Sequence, residues 1–178
     1  MNAPVQRTGP SISRHTSNQA WGTPRVFLDA VEDRFGKIRT DLAASKENAV
    51  CAHYFDEKTN SLLQDWSKLK GVAFLNPPFG NIGPWAKKCA SVRDRPGWTL
   101  LLVPNSTGSN WYEEHVKDKC FELGLNGRIK FVGAETGYPK DLALFVYGFG
   151  VRGKDTWRWD TSRRWRLSPK KSVGRPSP

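Results

Sequence analysis

Two short, uninterrupted apolar runs constrain the possible folds of this chain more than any other feature of its sequence. Residues 71–75 and 98–103 contain no charged side chain, and Pro104 follows the second run directly. Continuous apolar runs of this length are typical of strands that are buried on both faces of a parallel sheet. The intervening residues 82–92 have a helical pattern. The order strand, helix, strand therefore predicts an α/β fold.

The remaining predicted elements continue this alternation. A first helix is expected to begin at Thr23-Pro24, where a hydroxyl N-cap precedes proline, and to end at Gly36. The other predicted elements are a strand at residues 37–43, a helix at 109–123 ended by Gly124, and strands at 128–132 and 142–149. Residues 133–141 are too few for a crossover helix, so the last two strands are expected to form an antiparallel hairpin.

The positive charge of the chain is concentrated at its C-terminal end. The net charge is +11, from 28 basic and 17 acidic residues, but residues 21–150 carry 17 bases and 15 acids and residues 151–178 carry 9 bases and two acids. We therefore expect a domain at 21–150 and a basic tail at 151–178. Residues 1–20, rich in Pro, Ser, Thr, Asn and Gln, are expected to be a disordered or loosely docked arm. The positive charge of the tail favours a polyanionic partner, with nucleic acid as the first candidate. The alternative is that the tail only keeps the protein soluble.

Several classes of protein are disfavoured by composition. No run approaches ~20 apolar residues, and no hydrophobic signal segment follows Met1. The scattered cysteines and histidines are Cys51, Cys89, Cys120, His15, His53 and His115. An odd number of cysteines without a CxxC pair argues against a disulfide framework or zinc site. We expect a reduced, cytoplasmic protein with no metal and no membrane partner, and interpret the histidines as structural or solvent-facing.

One tetrapeptide points to chemistry. Asn76-Pro77-Pro78-Phe79 follows the apolar run 71–75 directly, at the sheet edge where α/β folds bind ligands. Two consecutive prolines remove two N–H donors and leave carbonyl oxygens free to accept. An asparagine oxygen beside such a carbonyl pairs with a substrate amino group, and phenylalanine offers a face on which a base can stack. The alternative is a strand-to-helix turn punctuated by proline.

This tetrapeptide is the signature of amino methyltransferases that use S-adenosylmethionine. The whole stretch from Trp21 to about Gly148 resembles the phage-type DNA N-6-adenine methyltransferase (Dam) family. The matching pieces are Trp21-Gly22-Thr23-Pro24, Phe35-Gly36, Asp41-Leu42-Ala43-Ala44-Ser45, Asn48-Ala49-Val50-Cys51, Tyr54-Phe55, Asp65-Trp66, Asn76-Pro77-Pro78-Phe79-Gly80, Trp85, Leu102-Val103-Pro104, Thr107, Trp111-Tyr112 and Gly127-Arg128-Ile129-Lys130-Phe131. Their order and spacing make the resemblance specific.

The resemblance implies a fold, a cofactor and its contacts. The fold would be a Rossmann-like class I methyltransferase: a mostly parallel sheet with a C-terminal antiparallel hairpin and helices on both faces. The cofactor would be S-adenosylmethionine. The implied cofactor-binding residues are Trp21, Thr23, Pro24, Asp41, Ala43, Phe55, Asp65 and Asn76. Two departures from the family pattern are Ala43-Ala44-Ser45 in place of a Gly-rich loop and Asn60-Ser61 where relatives carry an acidic residue. Helix capping also explains Thr23-Pro24, and core packing also explains Phe55.

The resemblance also implies a reaction and a substrate. Asn76, Pro77, Pro78 and Phe79 would be catalytic, acting on an adenine flipped out of double-stranded DNA, with direct in-line methyl transfer to its N6 amine. The basic residues expected to contact DNA are Arg128, Lys130, Lys140, Arg158, Arg163, Arg164 and Arg166. Within the tail, tryptophans can stack on bases or pack on the domain. The alternatives are a catalytically silent DNA-binding protein and a methyltransferase for cytosine N4, RNA adenine or protein glutamine.

Overall fold

The computed structural model describes residues 21–160. The elements in chain order are α1 Arg25–Phe35, β1 Ile38–Asp41, β2 Val72–Leu75, α2 Gly83–Ser91, β3 Thr99–Pro104, α3 Asn110–His115, β4 Phe121–Asn126, β5 Leu142–Tyr147 and β6 Gly153–Arg158, with short 3₁₀ turns at Ser61–Leu63 and Trp66–Lys68. The predicted arm at residues 1–20 and the end of the predicted tail, residues 161–178, lie outside this range.

All six strands belong to one mixed sheet in the order β1-β2-β3-β5-β4-β6. The first three strands are parallel to one another, and β6 is parallel to β4. Strand β5 lies between β3 and β4 and is antiparallel to both. The predicted α/β architecture, a mostly parallel sheet with a C-terminal antiparallel hairpin and helices on both faces, is confirmed as an α/β fold whose mixed sheet is partly antiparallel. It is consistent with a Rossmann-like methyltransferase fold.

Helices cover both faces of the sheet. On one face α1 packs Phe27, Val31 and Phe35 against side chains of β2, β3 and β5. On the other face α2 and α3 pack Ala86, Cys89 and Tyr112 against the alternate side chains of the same strands. Strands β2, β3 and β5 are buried along their whole length, which explains why their sequences are continuous apolar runs rather than alternating ones.

The predicted helix at 109–123 is confirmed only at its beginning, and the predicted strand at 128–132 was wrong. Helix α3 ends at His115, and residues Phe121–Asn126 form β4, with Gly124 inside the strand rather than after a helix. The strand that precedes β5 in the chain and pairs with it is therefore β4, not residues 128–132. Because β5 and β6 already pair with both sides of β4, residues 128–132 have no free strand beside them. They form an extended segment with one bridge, Val132 to Gly22.

The start of α1 also differs from the prediction. The N-cap is Pro24, whose carbonyl accepts from the N–H groups of Phe27 and Leu28, and no side chain caps the helix. The hydroxyl of Thr23 is used elsewhere, as described below. The helix does end at Gly36, whose positive φ of 96° suits glycine.

The C-terminal segment contributes a strand to the sheet. Residues Gly153–Arg158 form β6, so the predicted domain boundary at residue 150 falls between two strands of one sheet. The rings of Trp157 and Trp159 lie 5.9 and 5.2 Å from that of Phe27 on α1. Both tryptophans therefore pack on the domain, the second of the two roles that the sequence left open. Across residues 21–160, every helix is too short or too polar to cross a membrane.

Candidate active site

Two polar side chains lie at the carboxyl ends of adjacent parallel strands. Asp41 is the last residue of β1, and Asn76 follows the last residue of β2. The two strands are in register, with Asp41 opposite Phe74 and the Leu42 N–H donating to the Phe74 carbonyl at 2.8 Å. Neighbouring strands are about 4.8 Å apart, so the two side chains share one small region of the sheet edge.

The amide of Asn76 is held by the segment that precedes α1. Its Nδ2 donates to the carbonyl oxygen of Trp21 at 3.4 Å and to Oγ1 of Thr23 at 3.2 Å. Since a carbonyl oxygen can only accept, the nitrogen and not the oxygen of the amide must face Trp21. Oδ1 of Asn76 accepts no hydrogen bond from any residue between 21 and 160. The oxygen is thus left as an acceptor in a fixed orientation.

The rest of the tetrapeptide is anchored on one side and open on the other. Pro77 is buried, Pro78 is exposed, and Phe79 is half-buried. The Phe79 ring meets Phe131 and Tyr138 edge to face, with centroids 6.0 and 5.3 Å away. These contacts fix the plane of the Phe79 ring, as stacking on a base requires.

Asp41 is a buried carboxylate with backbone partners. It is 3% exposed and accepts from the N–H of Ala43 at 3.2 Å and from the N–H of Val50 at 3.1 Å. Burial raises the pKa of the Asp41 carboxyl to about 6, although the two backbone hydrogen bonds favour the charged form. No Lys, Arg or His between residues 21 and 160 forms an ion pair with it. The site therefore holds a negative charge without a cationic partner.

Other predicted cofactor residues lie close to Asp41. The segment around Phe55 runs beside the end of β1: Phe55 donates its N–H to the Asp41 carbonyl at 2.9 Å, and Ala44 donates to the Phe55 carbonyl at 3.0 Å. Ala43 and Phe55 are thereby placed at the Asp41 end of the site. Both are partly buried.

Asp65 and Pro24 have local structural roles. Asp65 caps the turn Trp66–Lys68, accepting from the N–H and the hydroxyl of Ser67, and forms an exposed ion pair with Lys68. Pro24 caps α1 through its carbonyl. Within residues 21–160, no hydrogen bond or ion pair joins either side chain to Asn76 or Asp41.

The predicted DNA-binding residues within the described range are exposed at the same edge of the sheet. Arg128 and Lys130 follow the end of β4, Lys140 precedes β5, and Arg158 ends β6. Because β5 is antiparallel to β3 and β4, its beginning lies at the carboxyl ends of the parallel strands. Arg163, Arg164 and Arg166 lie outside the described residues.

Sequence reasoning missed some of the residues that shape this site. It assigned no role to Phe131 or Tyr138, although both support Phe79, and Trp21 stacks on Phe131 at 6.1 Å. The alternation of exposed Arg128 and Lys130 with buried Ile129 and Phe131 carried a signal for Phe131. No local pattern marks Tyr138, which reaches Phe79 only through the fold of the loop 133–141.

Comparison with known proteins agrees with this geometry. The sequence model of the DNA N-6-adenine-methyltransferase (Dam) family matches residues 11–144. A DNA N-6-adenine-methyltransferase from Escherichia phage T1 is 30% identical over 136 residues, which cover 68% of this chain and 57% of that relative. The chain thus spans somewhat more than half the length of this curated relative. The family match covers three quarters of the chain and includes β1, β2 and the tetrapeptide that follows β2, and the chain belongs to the DNA N-6-adenine-methyltransferase (Dam) family.

Proposed function

We propose that the chain transfers a methyl group from S-adenosylmethionine to the N6 amine of adenine in double-stranded DNA. The observation that carries this proposal is the orientation of Asn76, whose amide nitrogen is held by Trp21 and Thr23 while its oxygen is left to accept. The acceptor Oδ1 of Asn76 suits a substrate amino group that is attached to an aromatic ring. Family membership and the name of the phage relative support adenine in DNA.

The acceptors of the tetrapeptide act on the target amine. Oδ1 of Asn76 and the carbonyl oxygen of Pro77 accept its two N–H groups, which draws electron density onto the nitrogen and favours tetrahedral geometry. Phe79, held edge to face by Phe131 and Tyr138, stacks on the base and fixes its plane. The nitrogen lone pair is then aimed along one line of attack, and positioning lowers the barrier. The base must leave the duplex to reach this edge of the sheet, at a cost of a few kcal/mol.

The residues at the end of β1 fit the proposed cofactor. When bound, S-adenosylmethionine supplies an electrophilic methyl group on a sulfonium centre. Asp41 offers an unpaired, buried carboxylate suited to the cofactor's cationic groups or to its hydroxyl donors. Trp21, Thr23, Ala43 and Phe55 lie around the same edge. A cofactor-binding role of Asp65 and Pro24 stays a prediction that rests on the resemblance. In the structure both residues cap short segments of the chain.

The basic residues at the edge supply affinity for DNA. Arg128, Lys130, Lys140 and Arg158 are exposed there, and each phosphate that Lys130, Lys140 or Arg158 neutralises releases a counterion. We extend this role to Arg163, Arg164 and Arg166, which continue the basic run in the sequence. The origin of the curated relative, Escherichia phage T1, supports a reaction in the cytoplasm of a bacterial host.

The test is methylation of unmodified DNA. The full chain is incubated with unmethylated double-stranded DNA and labelled S-adenosylmethionine, and the DNA is digested to nucleosides and analysed by mass spectrometry. We expect N6-methyladenine as the product. Label on cytosine in the digest would replace adenine as the substrate. A parallel incubation with RNA that gives labelled adenine, when the DNA stays unlabelled, would replace DNA. A chain that binds DNA, leaves it unlabelled and does not bind S-adenosylmethionine would be a catalytically silent DNA-binding protein. That result would overturn the proposal.

A further inference from the structure

A second feature of the carboxyl edge is an open polar cleft. It has a volume of about 450 Å³, within the range of roughly 300–1,000 Å³ usual for ligand sites. The walls come from the loop after β3, the end of β4, the start of β5 and one residue of β6. Its main lining residues are Asn105, Gly124, Asn126, Arg128, Asp141 and Thr156. None of these has a role in the methyl-transfer geometry.

The cleft lies on the same edge as Asn76. Strand β3 ends opposite the start of β5, at the pair Pro104 and Leu142, and the Asn105 N–H donates to the Asp141 carbonyl at 2.9 Å. Strands β3, β5 and β4 follow β2 in the sheet. With strands about 4.8 Å apart, the β4 wall is roughly 14 Å from the end of β2. Since base pairs rise by about 3.4 Å, this distance corresponds to about four base pairs, so DNA with an adenine at Asn76 can reach the cleft.

The backbone around the cleft is fixed by hydrogen bonds. The indole N–H of Trp159 donates to the Gly127 carbonyl at 3.2 Å, which ties the end of β4 to the segment after β6. One guanidinium nitrogen of Arg128 donates to the Tyr138 carbonyl at 2.9 Å, which ties β4 to the loop before β5. Tyr138 also contacts Phe79, so this bond links the cleft wall to the catalytic tetrapeptide.

The polar side chains of the walls are not committed to the fold. Asn105, Asn126 and Asp141 are exposed, and within residues 21–160 their side chains form no hydrogen bond or ion pair. Arg128 uses one nitrogen on Tyr138 and has further N–H donors. The cleft thus presents two amides, one carboxylate and one guanidinium, a mixture of donors and acceptors.

The chemistry of this mixture favours base edges over phosphates. The charges of Arg128 and Asp141 offset each other, and a carboxylate repels phosphate. Asparagine pairs with adenine, arginine with guanine and aspartate with cytosine in the major groove. The lysines that suit phosphate, Lys130 and Lys140, are exposed and lie within two positions of a lining residue in the chain, but they do not line the cleft themselves.

We propose that this cleft binds the edges of the base pairs beside the target adenine and determines the sequence context that is methylated. The proposal rests on the proposed function, because it needs a DNA substrate whose adenine is at Asn76. It assigns sequence choice to Asn105, Asn126, Arg128 and Asp141, and leaves methyl transfer to the tetrapeptide.

The experiment measures context preference directly. A pool of duplexes with a fixed central adenine and randomised flanking positions is methylated by the full chain, and the methylated positions are mapped by sequencing. The variants are Asn126→Ala and Asp141→Asn. The matched control is Glu135→Gln, which removes one exposed negative charge from the same loop without touching the cleft. Thermal unfolding and binding of S-adenosylmethionine are measured for each variant to confirm that it is folded.

We expect the wild type to prefer particular flanking bases. Each cleft variant should lose discrimination at one or two of these positions by roughly five- to a hundredfold, while the control keeps the wild-type pattern. A wild type that methylates adenine whatever its neighbours, or folded cleft variants with the wild-type pattern, would overturn the cleft proposal and leave the proposed function intact. A wild type that never methylates DNA would overturn both.

Discussion

The two halves of the sheet differ in how their polar side chains are used. At the ends of the parallel strands β1 and β2, Asp41 is buried and bonded to two backbone N–H groups, and the Asn76 amide nitrogen has two partners. At the same edge, around β4 and β5, Asn126 and Asp141 are exposed and uncommitted. One half has its geometry fixed before any ligand arrives. The other half keeps its hydrogen-bonding capacity for a partner.

This difference separates the demands of chemistry from those of recognition. Methyl transfer needs one acceptor in one orientation, since a misplaced oxygen loses the effect of positioning. Base recognition needs donors and acceptors that are solvated until DNA replaces the water. We therefore expect substitutions in the first half to change turnover or cofactor binding, and substitutions in the second half to change affinity or sequence choice.

The largest effect is expected from Asn76→Ala. Removing the oriented oxygen should lower kcat by at least a hundredfold, the usual loss when one preorganised hydrogen-bonding group is removed. Binding of S-adenosylmethionine should change little, because the Asp41 end of the site is untouched. The measurements are single-turnover methylation of DNA and calorimetry with the cofactor. The matched control is Asn81→Ala, an exposed asparagine of the same loop. An active Asn76→Ala enzyme would remove the basis of the comparison.

The second effect is a pH dependence of cofactor binding through Asp41. Burial raises the pKa of its carboxyl to about 6, so the wild-type site loses its negative charge below that pH. We expect the affinity for S-adenosylmethionine to fall by up to about tenfold per pH unit below pH 6. Calorimetry between pH 5 and 8 measures this. The Asp41→Asn variant should bind weakly with a flat profile in that range, and a flat wild-type profile would contradict the assignment.

The same carboxyl affects stability in a defined direction. Between the usual value of 3.8 and about 6, the folded chain holds a proton that the unfolded chain has lost. The contribution of Asp41 to the free energy of unfolding therefore falls as the pH rises through this window. Urea unfolding at pH 4 and 6, compared between wild type and Asp41→Asn, measures this contribution.

A smaller effect is expected from Thr23→Val. The substitution removes one of the two acceptors that orient the Asn76 amide and leaves the carbonyl of Trp21. We expect kcat to fall about five- to twentyfold, the value of one hydrogen bond of about 1–2 kcal/mol, with the KM for DNA unchanged. Thr23→Ser should restore turnover because it restores the hydroxyl. Equal loss in the serine and valine variants would point to packing instead.

The smallest effect is expected from Lys130→Gln in the other half. Loss of one phosphate contact should weaken DNA binding and lower the slope of log affinity against log salt by about 0.9, with kcat unchanged. Fluorescence anisotropy at several salt concentrations measures the slope. Lys87→Gln, an exposed lysine on α2, is the matched control and should leave the slope unchanged. A fall in kcat without a change of the salt slope would contradict the assignment of this half of the sheet to DNA binding rather than turnover.

The sequence predicted the first half of the molecule better than the second. Strands β2 and β3 are buried on both faces, so their composition alone identifies them. Strand β4 is only partly buried and carries Glu122 and two other polar or small residues, and it was mistaken for the end of a helix. Its identity depends on β5 and β6, which follow it in the chain. Local pattern carries no information on those partners.

The candidate site divides in the same way. The tetrapeptide was found because it directly follows a strand that the sequence identifies, and Asp41 was found through the family resemblance, which placed it at the end of the first strand. The hydroxyl of Thr23 was assigned to a helix cap, since a threonine before proline normally has that role. Its bond to Asn76 spans 53 positions of sequence and became apparent only from the fold. The uncommitted residues of the cleft have no motif, because their common feature is position on the sheet edge.

The place of β5 in the sheet has a consequence for synthesis of the chain. Strand β5 is the partner of both β3 and β4, yet it is made after them. Until residue 147 has left the ribosome, β3 is an unpaired edge whose six residues, Thr99–Pro104, are all buried in the finished fold. Exposed apolar edges of this kind pair with other chains. A nascent or truncated polypeptide that stops before Leu142 should therefore aggregate. Strand β5, which emerges late, covers the open edge of β3 and so protects the first three strands from pairing with other chains.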